Sequence, residues 1–396
     1  MYKSIRELDI FISDGNYSSK YPRSEEFVDE GIPFIRGNNM IDGEIVDEDM
    51  YYITEKKHGI LLKGHIQPGD VLITTRGNIG QVAIVPERHN DSNINAQIVL
   101  LRVNKEELYN RYLLWALQSY KTKEQYLSLQ TGTALKQLPV GKLEQVKIKY
   151  VDLKLQVQIA EILDKAYQVI KIRKNELMVL DNLIKARFVE LFGDPEVNSM
   201  NLPVKPMTEV CEIIDGDRGK NYPTQEEFSD EGYCLFLNAK NVTSNGFSFE
   251  NCMFVTKEKD EILRKGHLNR GDVVLTTRGT IGNLAFYDES VPYENVRINS
   301  GMVILRMNHE IVSEHFFIEQ FKMQLGSIKE KIASGSAQPQ LPISTMNKIV
   351  VLMPSVEQQL VFADFVQQVD KSKVAVQKAL DEAQLLFDSL MQKYFG

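Results

Sequence analysis

The chain has 396 residues, of which 43% are hydrophobic and 25% charged, a composition typical of a soluble protein and a length that accommodates two or three domains. Its formal net charge of −8 speaks against a strongly basic, free-standing nucleic-acid binder, because total charge then supplies no attraction to phosphate. A membrane span needs a run of about 18 apolar residues, and no apolar run approaches that length. The N-terminus also lacks the apolar core of a signal peptide, so we expect a cytoplasmic protein without membrane contact.

The first 150 residues predict a compact α+β domain. Residues 64–80 place a Gly-Asp turn, a short apolar strand and a Thr-Thr-Arg-Gly turn in succession. A buried strand is expected over residues 94–101 and one amphipathic helix over residues 106–129. A loop at residues 131–137 and a strand near residues 146–148 complete this predicted domain.

A long helix is predicted for the segment 151–193. Its apolar residues recur at alternating intervals of three and four, which is the heptad pattern of a coiled coil. Gly193 and the Asp-Pro pair after it end the helix. The main residues of this seam are Ile159, Leu163, Ile170, Leu177, Leu180 and Ile184.

The same order of elements then begins again. Residues 266–282 nearly repeat residues 64–80, 202 positions later in the chain. The repeat predicts a second domain over residues 194–354 and a second coiled-coil helix over residues 355–396. The second seam consists of Phe362, Val366, Val369, Leu380, Phe387 and Leu390.

This duplication predicts the arrangement of the parts. Helix one leads from the first domain to the second and helix two leads back, so the two helices must be antiparallel. The fold class predicted is α+β: two similar domains joined by two long antiparallel coiled-coil helices, related by a pseudo-two-fold axis, as a pseudo-circular dumbbell.

Three repeated features carry a family resemblance. They are the domain–helix–domain–helix order, the two Gly-Asp-x-x-x-Thr-Thr-Arg-Gly-x-Ile-Gly segments, and the helix openings at Gln156 and Gln359. Over essentially its whole length the chain resembles the specificity (S, or HsdS) subunit of type I restriction–modification systems. In that family the two domains are target recognition domains, and each reads one half of a bipartite, asymmetric DNA sequence.

The resemblance also implies partners and cofactors. The paired helices of the family dock two methyltransferase (M) subunits, and restriction (R) subunits complete the complex. S-adenosylmethionine, ATP and Mg²⁺ are then expected on those partner subunits, and this chain is expected to bind no cofactor and to catalyse nothing. The residues agree, since we find no Asp-Pro-Pro-aromatic amine loop, Walker A lysine loop or dinucleotide fingerprint.

Two other classes of function remain open at this point. The same recognition domains occur fused to methyltransferase or nuclease modules, but the two copies and the two helices use all 396 residues. A stand-alone scaffold that holds other proteins is the second alternative. Co-purification with a methyltransferase subunit would separate the scaffold from the specificity subunit.

Candidate DNA-binding residues lie in the repeated turns and in the polar loops that differ between the copies. Arg76 and Arg278 offer a fork of donors suited to phosphate, and an identical arginine in both copies cannot explain two different half-sites. The divergent loops supply the candidates for base readout. The full set of candidates is Arg36, Asn38, Asn39, Arg76, Asn78, Lys136, Gln137, Arg218, Lys220, Asn221, Lys240, Arg278, Thr280, Gln338 and Gln340.

No metal site is expected from the sequence. Cys211, Cys234 and Cys252 are not spaced as zinc ligands and are expected in the core. His65 recurs as His267, but the sequence places no metal-ligating partner beside either.

Overall fold

The computed structural model describes residues 1–17, 20–133, 135–333 and 340–396 of the chain. The chain divides into two compact units: a first unit of residues 1–174 and 377–396, and a second unit of residues 175–376. Each unit contains one copy of the repeat together with part of each long helix.

The strands and helices of the first copy are short, apart from the helix that ends it. Its strands are β1 Tyr2–Ser4, β2 Ile10–Asp14, β3 Phe27–Val28, β4 Ile32–Ile35, β5 Met40–Ile41, β6 Glu44–Ile45, β7 Tyr51–Ile53, β8 Val71–Thr74, β9 Val82–Ile84, β10 Asn93–Ile94, β11 Ile98–Val103 and β12 Lys147–Lys149. Its helices are α1 Glu55–Ile60, α2 Asn110–Gln118, α3 Tyr120–Leu129, α4 Val140–Leu143 and α5 Leu153–Phe192.

The second copy repeats this order. Its strands are β13 Val204–Pro206, β14 Cys211–Asp215, β15 Cys234–Leu237, β16 Val242–Thr243, β17 Gly246–Phe247, β18 Phe254–Val255, β19 Val273–Thr276, β20 Leu284–Phe286, β21 Val296–Ile298, β22 Met302–Met307 and β23 Val350–Leu352. Its helices are α6 Met207–Val210, α7 Lys257–Ile262, α8 Glu314–Ala333, α9 Ile343–Met346 and α10 Val356–Phe395.

Each unit is built on an antiparallel sheet of the same strand order. The order is β2-β11-β8-β9 in the first unit and β14-β22-β19-β20 in the second. Alternate residues of β8 point to opposite faces, so Val71 and Ile73 pack towards α2 and the long helices while Leu72 packs towards β4 and β10. A second sheet, β10-β4-β7-β3 in the first unit and β18-β15-β21 in the second, pairs β4 with β10 and β15 with β21 in parallel. The predicted domain-sized duplication is therefore confirmed.

Two predicted elements of the first copy are interrupted. The helix expected over residues 106–129 is two helices, because Ser119 ends α2 and its hydroxyl accepts the backbone N–H of Thr122 to start α3. In the second copy α8 is continuous through the matching region. The strand expected over residues 94–101 is also two strands, β10 and β11, which lie in different sheets.

The two long helices run in opposite directions. In the second unit Lys373 Nζ lies 2.7 Å from Asp181 Oδ1, while Phe362 contacts Phe188 and Phe192 at ring distances of 5.4 and 5.6 Å. Residue numbers thus rise along α5 as they fall along α10, which confirms the antiparallel pairing. The buried seam residues are Ile159, Leu163, Ile170, Ile184, Phe362, Val366, Val369 and Phe387, and the half-buried ones are Leu177, Leu180, Leu380 and Leu390.

An aromatic cluster fixes α2 to the long helices of the first unit. Trp115 is buried, its Nε1–H donates to Asp164 Oδ1 at 2.8 Å, and its ring lies 5.3 Å from the rings of both Tyr167 and Phe387. Arg111 holds the same carboxylate with two hydrogen bonds of 3.0 and 2.5 Å. The helix pair is therefore part of the hydrophobic core of this unit.

The repeated glutamine at each helix opening joins the domain to the helix. Gln156 is fully buried, and its Oε1 accepts the backbone N–H of Tyr109 at 2.9 Å, next to the start of α2. Gln359 is also fully buried and accepts the N–H of Ser313, next to the start of α8, at 2.9 Å. This motif thus positions the helices in both copies.

Candidate nucleic-acid interface

The Thr-Thr-Arg-Gly turn has the same hydrogen bonds in both units. Thr74 donates its hydroxyl to the carbonyl of Asn78 at 2.5 Å and accepts the N–H of Gln81 at 3.0 Å. Thr276 repeats these bonds with Thr280 and Asn283, at 2.5 and 2.9 Å. The first threonine of the motif therefore closes the turn.

The glycine that ends the turn is required by its surroundings. Gly80 has φ +89°, and a Cβ there would lie 2.9 Å from the ring of Tyr126. Gly282 has φ +92°, and a Cβ there would lie 2.2 Å from Leu325. Both a left-handed backbone and the close approach of a helix exclude a side chain.

The Gly-Asp turn at the other end of the strand holds a buried aspartate that pairs with a partly exposed arginine. Asp70 is 1% exposed and receives two hydrogen bonds from Arg102, of 2.7 and 2.8 Å. Asp272, also 1% exposed, receives the same two bonds from Arg306, of 2.9 and 2.8 Å. Each pair raises the pKa of its arginine above the ordinary value, since the hydrogen bonds to the carboxylate favour the charged form.

The turn arginine and the second polar loop lie side by side in each unit. Arg76 forms a backbone bridge with Gln137, and Arg278 forms the same bridge with Gln340. The structure therefore brings two predicted groups of DNA-binding residues to one edge of the sheet. Asn78, Lys136 and Thr280 lie exposed on this edge as well. Gln338 lies outside the described residues.

The two arginines differ in their neighbours. The guanidinium carbon of Arg76 lies 5.2 Å from the ring centre of Tyr17, within cation–π range. Burial raises the pKa of Tyr17, and Arg76 opposes that rise, so the phenol stays neutral beside the arginine. Arg278 is exposed, and its side chain has no hydrogen bond or ion pair within the described part of the chain.

The basic turn of the second unit lies next to Arg278. Arg218 Nη2 donates to Asp215 Oδ1 at 3.1 Å and to the carbonyl of Ser300 at 3.4 Å, while the N–H of Arg278 donates to the next carbonyl, that of Gly301, at 3.2 Å. Lys220 is exposed on this turn and Asn221 is half-buried. Sequence reasoning missed Tyr17, whose place after the Asp-Gly turn matches that of Arg218 in the second copy.

Two residues predicted to read bases, Asn39 and Arg36, instead form hydrogen bonds within the protein. Asn39 is fully buried, its Oδ1 accepts the N–H of Arg36 at 3.1 Å, and its Nδ2 donates to the carbonyl of Glu48 at 2.9 Å. It cannot reach a base edge, and we correct that prediction. Arg36 itself lies flat on the ring of Tyr51 at 3.4 Å and donates to the carbonyl of Asp49 at 2.7 Å. The neighbouring Asn38, and Lys240 in the second copy, are exposed and available.

The prediction that no metal-ligating partner surrounds His65 is wrong. His58 and Asp91 lie beside it, and one ligand atom from each of the three residues lies within 4.8 Å of the others. The backbone bridge of His65 with Asn93 and the hydrogen bond of His58 with the same Asn93 bring these residues together, which the sequence alone does not reveal. Burial of Cys211 and Cys234 raises the pKa of each thiol to about 12, so both are inert core residues as predicted.

Within the described ranges, no helix is both long and apolar enough to cross a membrane.

The outer faces of α5 and α10 expose large apolar side chains. They include Ile162, Val169, Ile172, Met178, Val179 and Leu183 on α5, and Leu360, Val361, Val374, Leu385 and Leu386 on α10.

Comparisons with known proteins cover both copies. The family model described as "Type I restriction modification DNA specificity domain" matches residues 9–182 and again residues 201–383. The type I restriction enzyme MjaVIII specificity subunit of Methanocaldococcus jannaschii is 24% identical over 391 residues, with 88% of each chain covered. The crystal structure of a type I restriction–modification S subunit from M. genitalium gives a TM-score of 0.58 at 17% identity, with 100% of this chain and 96% of that chain covered. A chain from a structural study of complex assembly in the type I restriction–modification system gives a TM-score of 0.52 at 16% identity, with 100% of this chain and 97% of that chain covered.

Proposed function

The chain belongs to the family of type I restriction–modification DNA specificity domains, and from this membership we propose that it reads a bipartite, asymmetric DNA sequence for a type I complex. The observation that carries the proposal is the double match, since each copy of the repeat is matched by the same family model. The chain is a non-catalytic subunit whose partners are DNA and the other subunits of the system.

The two edges with the turn arginines are the proposed DNA contacts. Arg76 and Arg278 occupy the same position in identical turns, so they bind phosphate, which is common to every sequence. Exposed and half-buried polar residues of the repeated turns and of the divergent loops read the bases. These are Asn38, Asn78, Lys136, Gln137, Lys220, Asn221, Lys240, Thr280 and Gln340, to which we add Tyr17.

The long helices are the proposed docking surface for two M subunits. Their seam residues are buried in the core of each unit and so hold the helices together. The exposed apolar residues on the outer faces remain for a partner; Val374 is 71% and Leu385 is 70% exposed. R subunits join the same complex, and S-adenosylmethionine, ATP and Mg²⁺ bind to the partner subunits.

A domain exchange tests the proposed function. Residues 1–150 are replaced by the first recognition domain of another family member, and the variant is co-expressed with its M subunit in a host whose methylated sites are mapped. We expect one half-site to change and the other to stay as it was. A change in both half-sites, or failure of the wild-type chain to co-purify with the M subunit, contradicts the proposal.

A further inference from the structure

Three side chains of the first unit converge away from the turn arginine. His58 lies on α1, His65 on the loop before β8, and Asp91 on the turn before β10. His58 Nε2 lies 3.3 Å from Asp91 Oδ2, and His65 Nδ1 lies 3.2 Å from Asp91 Oδ1. Asp91 has φ +59°, a left-handed backbone that few residues other than glycine adopt.

The other ring nitrogens of the two histidines determine which atoms face Asp91. His65 Nε2 lies 2.6 Å from the carbonyl oxygen of Leu61, which only accepts, so this nitrogen carries the hydrogen. His58 Nδ1 lies 2.6 Å from Asn93 Oδ1, which is also an acceptor, so His58 Nδ1 carries the hydrogen. In the neutral tautomers, the lone pairs of His58 Nε2 and His65 Nδ1 therefore both point at a carboxylate. Three acceptors face one another, and a cation between them would satisfy all three.

The second unit meets the same requirement with a cation of its own. The fourth residue of α7 is Asp260, and the fourth residue of α1 is His58. His267 forms a backbone bridge with Arg297, and His65 forms the same bridge with Asn93. Arg297 Nε donates to Asp260 Oδ1 at 2.6 Å, and both side chains are at most 10% exposed. A guanidinium thus neutralises the buried carboxylate here, whereas the first unit has no arginine or lysine at the matching positions.

The geometry of the first-unit cluster suits a tetrahedral metal ion. Zn–N and Zn–O bonds of about 2.0–2.1 Å place neighbouring ligands of a tetrahedron roughly 3.3 Å apart. Each histidine nitrogen lies close to that separation from one oxygen of Asp91, His58 Nε2 from Oδ2 and His65 Nδ1 from Oδ1, and one ligand atom from each of the three residues lies within 4.8 Å of the others. The ring N–H donated to Leu61 is the usual outer-shell bond of a metal-bound histidine. The Asp91 side chain is 66% exposed, so the fourth ligand can be water.

We propose that His58, His65 and Asp91 bind a divalent transition-metal ion, with Zn²⁺ the best match to two imidazoles and one carboxylate. The ion ties α1, the loop before β8 and the turn before β10 to one another. It is structural and takes no part in a reaction. The ion supplies the positive charge in the first unit that Arg297 supplies in the second.

Zinc binding by the full chain tests this site. The metal-free protein, prepared with a chelator, is titrated with Zn²⁺ at neutral pH against a chromophoric competitor, and with Co²⁺ to record the visible bands of tetrahedral coordination. We expect one ion per chain. Loss of an outer-shell partner weakens metal binding by about 10- to 100-fold. His58→Ala or His65→Ala removes a direct ligand and should weaken zinc binding by more than that.

Two further variants are the controls. His267→Ala removes the matching histidine of the second unit and should leave zinc affinity unchanged. The double variant His58→Asp with Asn93→Arg copies the second-unit pair into the first, and should remove zinc binding while circular dichroism shows an intact fold. No ion bound at micromolar zinc, or equal binding by the double variant and the wild type, overturns the proposal.

Discussion

In the first unit the fourth residue of α1 is His58 and its neighbour on β10 is Asn93, whereas the same two positions of the second unit hold Asp260 and Arg297. Around these positions the framework is the same. The Asp70–Arg102 and Asp272–Arg306 pairs, the threonine-closed turns and the strand order match from one unit to the other. The residues that set backbone geometry are thus paired in the same way in both units, whereas the side chains at positions 58 and 93 differ together from those at positions 260 and 297.

The comparison shows that such a group changes together because its charge must balance. A carboxylate at position 58 without an arginine at position 93 would leave a buried charge unpaired, and such a charge costs several kcal/mol. The two differences are therefore one coupled change. The exposed polar loops carry no such coupling, so they are free to differ residue by residue.

Removing the second-unit cation should give the largest effect. Arg297→Met leaves Asp260 buried without its ion pair, and we expect a loss of about 3–5 kcal/mol of unfolding free energy in that unit. The matched change in the first unit, Asn93→Met, removes a neutral hydrogen-bonding group and should cost about 1 kcal/mol without metal. Urea unfolding with chelator, localised by hydrogen exchange, measures both. Equal losses in the two units would show that Arg297 does not compensate a buried charge.

The turn arginines should give a smaller and symmetrical effect. Arg76→Ala or Arg278→Ala removes one phosphate contact, so DNA binding by the complex with M subunits should weaken on the order of ten-fold for every sequence. The slope of log affinity against log salt should fall by about one in each variant. Lys56→Ala, on the exposed face of α1, is the control. Loss of preference at one base pair, with affinity otherwise kept, would instead assign base readout to the arginine.

Mild acid, just below about pH 6.5, should slightly weaken the first unit through His89. Burial lowers the pKa of His89 below its ordinary 6.5, although Asp47 at 2.8 Å opposes that shift. The unfolded chain therefore binds a proton more readily, and stability is lost as pH falls from about 6.5 towards the lowered folded pKa. His89→Gln should remove this dependence in urea titrations with chelator present. The connection between β20 and β21 in the second unit contains no histidine, so the stability of the second unit should not show this dependence on pH.

The sequence alone predicts the large features because they are periodic or repeated. The heptad seams and the Thr-Thr-Arg-Gly turns depend on residues close together in the chain, and the duplication is visible as a direct match between two segments. The break at Ser119 depends on a hydroxyl that competes locally with the helix, which the apolar pattern of residues 106–129 does not register. Asn39 and the His58–His65–Asp91 cluster were misjudged because their roles arise from contacts between separate segments of the chain. Asn39 bonds to the carbonyl of Glu48, and both histidines contact Asn93 of β10.

Trp115, the single tryptophan of the chain, reports on one unit only. It is 2% exposed and lies against Tyr167 and Phe387, so its intrinsic fluorescence should be blue-shifted while α2 stays packed on both long helices and should move to longer wavelength when that contact opens. The second unit packs phenylalanine rings where its helices meet, namely Phe188, Phe192, Phe316 and Phe362. Because its sequence contains no tryptophan, it gives no emission when tryptophan is excited. The wild-type protein thus carries a built-in optical probe that distinguishes opening of the first unit from opening of the second, without any label.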